Sequence, residues 1–248
     1  MNAKCICLVC YKPNDIWVDF LSTFTKYDIY IVIDDNSIDY KEQYSKFTNI
    51  NIIQIKNEEC EKNGFSKLCT VTIPKKITAW DKAIYYFSSI NTGYNNVWFL
   101  EDDVFFNNEQ TLLNIDSTYG SSDLLSNDYG ENISGHKNEW HWRSIDIRFP
   151  PPYYCAMVCC VRISSQLLSK IKRYADEHNT LFFIEAFFPS VCKKYKLQYD
   201  TPIHFNNILY RKTYIDKDID GHNLFHPIKD ITKHIYYRAM INNNNSSV

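Results

Sequence analysis

Residues 97–106 read VWFLEDDVFF, and the organisation of the chain follows from how this stretch is placed. Val97, Trp98, Phe99 and Leu100 form a continuous apolar run of strand length, the pattern of a strand buried on both faces. Three consecutive carboxylates, Glu101, Asp102 and Asp103, stand where that strand leaves the sheet, and apolar residues resume at once with Val104, Phe105 and Phe106. In open α/β sheets, ligands bind at the carboxyl ends of the strands. Residues two apart in an extended chain point the same way, so Glu101 and Asp103 share one face while Asp102 points oppositely. Like charges this close, flanked by apolar residues that imply partial burial, call for a compensating cation. Hard divalent ions such as Mg²⁺ or Mn²⁺ favour carboxylate oxygen. The simpler alternative is a solvated turn in which Asp103 caps a helix.

Toward the N-terminus the same kind of run recurs. Residues 4–11, KCICLVCY, predict a buried strand closed by Lys12, Pro13 and Asn14, after which Asp15 caps a helix carrying Trp17, Phe20, Leu21 and Phe24. Residues 27–33, YDIYIVI, predict a second strand that ends in Asp34, Asp35, Asn36 and Ser37. A short polar helix leads to a third strand at 51–55, NIIQI. Residues 77–90 then place Ile77, Trp80, Ala83, Ile84 and Phe87 at helical spacing before the strand at 97–100. The alternation predicts an α/β fold with a mostly parallel sheet. A carboxylate at the end of the second strand can accept hydrogen bonds from a nucleotide base or from ribose hydroxyls; an Asx-turn or a helix cap is the alternative.

Toward the C-terminus, residues 117–148 lose periodicity and become rich in Gly, Ser, Asn and His around Trp140 and Trp142, which predicts an irregular lid or binding loop. A strand is expected at 153–163 and a helix at 165–174. Residues 181–187, LFFIEAF, surround a single carboxylate, Glu185, with a helix following through Val191 toward Tyr195. A lone carboxylate there either pairs with a cation, Arg162 or Arg173, or has its proton affinity raised, which suits a general base. The segment from Tyr210 onward carries His222, His226 and Lys229, and residues 242–248 are expected to be a polar disordered tail.

At 248 residues with 45% hydrophobic composition, the chain suits one core, so residues 1–241 are expected to form a single domain with halves at 1–110 and 111–241. A net charge of −2, with cations scattered along the chain, disfavours nucleic acid as a partner. Nine cysteines, several inside apolar runs, read as buried free thiols of a reducing compartment rather than a disulfide framework. Cys7 and Cys10 have CxxC spacing, but they lie within a strand and no second CxxC completes a zinc site. No apolar stretch approaches ~20 residues and the first residues lack a signal-peptide pattern, so a cytoplasmic location without an integral membrane segment is expected. The abundance of Asn, Ile, Lys and Tyr fits an AT-rich coding genome, as in some large DNA viruses or protists; for a viral protein the setting is the host cytoplasm or a viral factory.

The order CLVCYKPND, VIDDNS, AWDKA and WFLEDDVFF resembles the nucleotide-binding half of GT-A glycosyltransferases, in which the last acidic cluster is the DXD motif. The resemblance covers about residues 4–110 and implies a Rossmann-like sheet flanked by helices, with a C-terminal acceptor-side part. It implies that Asp103 holds Mn²⁺ or Mg²⁺ against the donor diphosphate, with Glu101 as the outer acid of a variant E-x-D and Asp102 beside the donor. It further implies that Asp34 or Asp35 faces the nucleotide, that Tyr11 lines its pocket, and that Asp81 and Lys82 reach the donor. In the later half, residues 183–185 fall where the family has its x-E-D motif, although Ala186 replaces the final acid; Glu185 would be the catalytic base of an inverting enzyme. NLFHPIKD, residues 223–230, resembles the C-terminal His segment of metal-dependent members, with His226 on the metal and Lys229 on the leaving diphosphate. The implied activity is transfer of a sugar from a nucleotide-sugar, of UDP type, to an acceptor hydroxyl on a glycan, protein or small molecule. Trp140, Trp142 and Tyr153 can stack on sugar faces or simply pack. A sugar nucleotidyltransferase would carry a Gly-rich loop after the first strand, and KPND has no Gly. A non-catalytic nucleotide-sugar-binding protein is the remaining alternative, and the intact Glu101, Asp103 and His226 argue against it.

Overall fold

Strand β1 (Lys4–Cys10) is buried from Cys5 to Cys10, and its alternate residues enter two different cores. Cys5, Cys7 and Val9 pack on one face of the sheet, Ile6, Leu8 and Cys10 on the other. This follows from the two-residue period of a strand, and it puts Cys7 and Cys10 on opposite faces, where they cannot share a metal. All nine cysteines are buried free thiols, and burial holds those of Cys60, Cys69, Cys155 and Cys192 up at about 12, far from reactive thiolates.

The computed structural model describes residues 4–137 and 140–245. Helix α1 (Asp15–Ser22) links β1 to β2 (Asp28–Ile33), and α2 (Tyr40–Gln43) links β2 to β3 (Ile50–Gln54). Helices α3 (Asn57–Lys62) and α4 (Ala79–Tyr85), the latter prolonged by a π-helical turn over Tyr86–Ile90, precede β4 (Asn96–Glu101). Then come α5 (Glu109–Thr118), β5 (Leu124–Asn132), β6 (Tyr153–Ser164), α6 (Ser165–His178) and α7 (Ile184–Lys194). The chain ends with β7 (Tyr199–Asp200), β8 (Asn207–Ile208), β9 (Phe225–His226) and α8 (Thr232–Asn245). Seven strands form one sheet in the order β3-β2-β1-β4-β6-β5-β7, while β8 and β9 pair separately. β3, β2, β1 and β4 are mutually parallel; β6 runs antiparallel to both β4 and β5. Residues of α1 and α5 fill one face and residues of α4, α6 and α7 the other, so the protein has the α/β, mostly parallel, helix-flanked sheet expected from its sequence.

Parallel pairing aligns the strand ends. Val9 lies opposite Glu101 and Cys10 opposite Ile33, so Tyr11, Asp34 and the acidic cluster emerge along one edge of the sheet. A third apolar cluster, built from Phe105, Tyr214, Phe225, Ile228, Tyr237 and Ile241, ties the C-terminal segment to the chain just beyond that cluster. Phe105 and Phe225 exchange backbone hydrogen bonds of 2.8 and 2.9 Å, which brings His226 beside Asp103.

Several local expectations are corrected. Asn14, not Asp15, caps α1, its side chain accepting from the Trp17 amide at 3.0 Å. Residues 117–148 are not irregular throughout: they contain the end of α5 and the nine-residue strand β5. Only Leu124, Leu125 and Ser126 of β5 are buried, and two register shifts interrupt its pairing with β6, so a polar and bulged strand leaves no alternating pattern to read. Residues 242–245 continue α8 instead of forming a tail, while 246–248 lie outside the described residues. No helix among the described residues is long and apolar enough to cross a membrane.

Candidate active site

Glu101 closes β4, Asp103 follows in the turn and His226 closes β9; their ligand atoms lie within 4.8 Å of one another. One oxygen of Asp103 is buried without a hydrogen-bond partner and stands 3.4 Å from His226 Nε2, longer than a well-formed hydrogen bond. The Asp103 carbonyl accepts from the Ile228 amide at 2.7 Å, which locks the C-terminal segment against the acidic turn. Trp80 of α4 donates from Nε1 to Glu101 at 2.7 Å and fixes that carboxylate. His226 Nδ1 lies 2.6 Å from the Leu209 carbonyl, a geometry that makes Nδ1–H the donor and turns the Nε2 lone pair toward Asp103. Burial, then the neighbouring Asp103 charge, raise the Glu101 carboxyl above its ordinary range. Burial pulls His226 down, but the Asp103 and Glu101 carboxylates and the Leu209 carbonyl hold it above the usual imidazole value on balance. Two carboxylates and an imidazole with an orphaned buried oxygen among them form a donor set that fits a hard divalent cation.

These residues form part of the wall of a cavity of about 620 Å³ at the carboxyl edge of the sheet. Tyr11, Asp34, Asp102, Glu185 and Lys229 line it too. Tyr11 is 62% exposed and presents its ring at the rim, with the ammonium groups of Lys12 and Lys75 5.6 and 5.9 Å from its centroid. Asp34 is gripped by Lys75 at 2.6 Å and by Lys82 at 3.1 Å, and Lys82 also donates to the Asp34 carbonyl at 2.6 Å. The structure thus separates the two neighbouring acids. Asp34 lines the cavity, whereas Asp35 closes an Asx-turn with the Ser37 amide and hydroxyl and takes a 2.7 Å bond from Tyr40, outside the cavity wall. Those hydrogen bonds from Ser37 and Tyr40 hold the Asp35 carboxyl down at about 2.

Direct contact of Asp81 and Lys82 with a ligand, as the resemblance implies, is not what the geometry provides. Both are fully buried and neither lines the cavity. Asp81 accepts from the Thr78 amide and hydroxyl and from the Leu68 amide, so it caps α4 and anchors the preceding loop. Lys82 acts through Asp34, whose charge offsets the cost of burying the ammonium.

Glu185 sits in the first turn of α7 and lines the same cavity. Neither arginine weighed as its partner pairs with it: Arg162 binds Asp116 at 2.9 Å and Arg173 binds Glu177 at 2.6 Å. Burial, reinforced by the Glu101 charge, pushes the Glu185 carboxyl up to about 7. Trp140 and Trp142 pack 4.7 Å apart, Trp140 against Phe183 and Trp142 against Tyr153, and none of the three aromatic residues weighed for sugar stacking lines the cavity. Lys229 is exposed and has no ion-pair partner among the described residues. Sequence reasoning missed Trp80 as the residue that orients Glu101, and Lys75 and Tyr210 as lining residues; the Lys pair after Pro74 was the only local signal for Lys75.

No protein-family model matches the chain, and no curated protein sequence matches it. Among solved structures, 4-diphosphocytidyl-2C-methyl-D-erythritol synthase from Anaerococcus prevotii aligns over 97% of this chain and 96% of its own, at 8% identity and a TM-score of 0.49. The galactosyltransferase LgtC, in complex with donor and acceptor sugar analogues, aligns over 96% of both chains at 11% identity and a TM-score of 0.48. Mouse xyloside xylosyltransferase 1 aligns over 81% of this chain and 85% of its own, at 10% identity and a TM-score of 0.40. At these identities the likeness concerns the course of the chain; the chemistry rests on the residues of the cavity.

Proposed function

We propose that the protein is a metal-dependent GT-A-type glycosyltransferase that moves a sugar from a UDP-sugar to an acceptor hydroxyl with inversion, residues 1–241 acting as one catalytic domain. The observation that carries this reading is the meeting of Glu101, Asp103 and His226 in one cavity with Tyr11, Asp34 and Glu185. A divalent cation, Mn²⁺ or Mg²⁺, held by Glu101, Asp103 and His226 supplies positive charge to the donor diphosphate. Tyr11 stacks on the base from the rim. Asp34, oriented by Lys82, accepts hydrogen bonds from the base or ribose. Asp102 borders the donor, and Lys229, exposed and unpaired, meets the departing diphosphate. Glu185, with its proton affinity raised to about 7, takes the proton of the acceptor hydroxyl as that oxygen attacks the anomeric carbon, and this inverts its configuration. The acceptor is a hydroxyl of a glycan, a protein or a small molecule. Nine buried thiols accord with a reducing compartment such as the cytoplasm.

The test is incubation with a panel of nucleotide-sugars and Mn²⁺, with released nucleoside diphosphate measured. Release from a UDP-sugar, abolished by chelator and by Asp103→Asn, is expected. Absence of release from every donor, together with no calorimetric binding of UDP and Mn²⁺, would overturn the reading.

A further inference from the structure

A second cavity, of about 490 Å³, opens between the chain around Tyr210 and the start of α8. It shares Tyr210 and Lys229 with the larger cavity, so the two are contiguous. Four cations, Arg211, Lys212, Lys229 and Lys233, line it against a single acid, Asp230, in a chain whose net charge is −2. Among the described residues none of the four forms an ion pair, and Asp230 is engaged by the Thr232 amide and hydroxyl at 3.1 and 2.7 Å. Arg211 and Lys212 lie over the rings of Tyr210 and Tyr214, 4.9 and 5.4 Å from their centroids, yet gathering like charges around a concave surface costs stability through mutual repulsion. An anion relieves that repulsion.

A donor lying in the larger cavity meets Lys229 but none of the other three cations, which do not line that cavity. A second anionic group is therefore required to use them, and the acceptor is the remaining substrate. We propose that the smaller cavity is an anion subsite that seats a phosphate carried by the acceptor, a substrate assignment that rests on the donor reading of the larger cavity. Arg211 offers a planar guanidinium fork for two phosphate oxygens, and the lysines act as mobile point charges around it. Tyr210, whose ring lies 4.9 Å from the Arg211 guanidinium carbon, stands at the junction where the acceptor body passes toward Glu185.

The full chain saturated with UDP and Mg²⁺ is titrated calorimetrically with glucose 6-phosphate and, separately, with glucose. Saturable binding of glucose 6-phosphate and not of glucose is expected. Affinity should fall by about tenfold or more in the triple variant Arg211→Ala, Lys212→Ala, Lys233→Ala, while its UDP affinity and UDP-sugar hydrolysis stay at wild-type level. Circular dichroism and thermal melting confirm that the variant, altered only at exposed side chains, is folded. Absent binding, or equal binding in the variant, overturns the subsite. Competition between glucose 6-phosphate and UDP assigns the cavity to the donor's phosphates and equally overturns the proposal. Titration of UDP and Mg²⁺ into the free protein reads the donor site by itself, so a failure there is distinguished from a failure of the subsite.

Discussion

Replacing Glu101 with Gln separates the two consequences of placing acids side by side. Glu101 and Asp103 offer ligand atoms within 4.8 Å of each other. At an effective dielectric of ~20 that separation corresponds to about 3.5 kcal/mol of repulsion when both are ionised, and partial solvent exposure trims this to about 1–2 kcal/mol. Gln keeps an oxygen for the 2.7 Å bond from Trp80 Nε1 and removes the charge. In chelator, with both carboxylates ionised, Glu101→Gln should therefore be more stable than wild type. For a chain of this length about 1–2 kcal/mol is a rise in Tm of roughly 2–8 °C. Mn²⁺ should cancel most or all of that lead. At a hundredfold excess over its dissociation constant a ligand stabilises the native state by about 2.7 kcal/mol, and a tenfold weaker site retains about 1.4 kcal/mol under the same conditions. Differential scanning fluorimetry across a Mn²⁺ titration reads both quantities. A wild-type Tm indifferent to Mn²⁺ would refute the metal site, and a variant less stable than wild type in chelator would refute the repulsion argument.

Glu185→Gln should lower turnover by about 10² or more with donor affinity near wild type, and should erase an acidic limb near pH 7 below which the protonated base is inactive. A product of retained anomeric configuration, read by NMR coupling constants, would reject the base role. Asp34→Asn removes the counter-charge of the fully buried Lys82 and should cost about 3 kcal/mol in urea unfolding while weakening UDP binding. Asp35→Ala should leave UDP affinity unchanged; equal losses in both variants would shift the nucleotide contact to Asp35. His234, fully buried against Trp17 and Phe105, has its imidazole pushed down to about 4 by burial and then by Arg238. Because the folded state resists protonation, the stability it holds above the unfolded value of ~6.5 should be lost as pH falls through that value toward about 4, a loss of roughly 3 kcal/mol. His234→Phe should flatten that part of a Tm-against-pH curve; an unchanged slope would contradict the assignment.

Local pattern was sufficient wherever a segment's fate depends on its own periodicity. The runs in β1, β2 and β4 are too uniformly apolar to stand anywhere but inside a covered sheet, so the acidic ends of β2 and β4 had to emerge along one edge. That logic reached Glu101, Asp103 and the undivided pair Asp34 and Asp35 without coordinates, whereas Tyr11 came from the family resemblance. It did not reach β5, whose polar, bulged sequence becomes a strand only because β6 offers it a partner. Nor could it tell Asp34 from Asp35, since both suit a strand end; only the buried Lys82 on another element shows which one is held in the cavity. Asp81 resembles a ligand contact in sequence, yet the helix start at Ala79 turns its carboxylate inward to cap α4. His226 meets Asp103 because Phe225 pairs with Phe105 across a long intervening segment, and the Arg211, Lys212 and Lys233 cluster exists only once β9 and α8 fold back on the chain around Tyr210. Hydrophobic period is written locally in side chains, whereas the meeting of distant charges is set by long-range backbone pairing and by which faces find a partner to bury them.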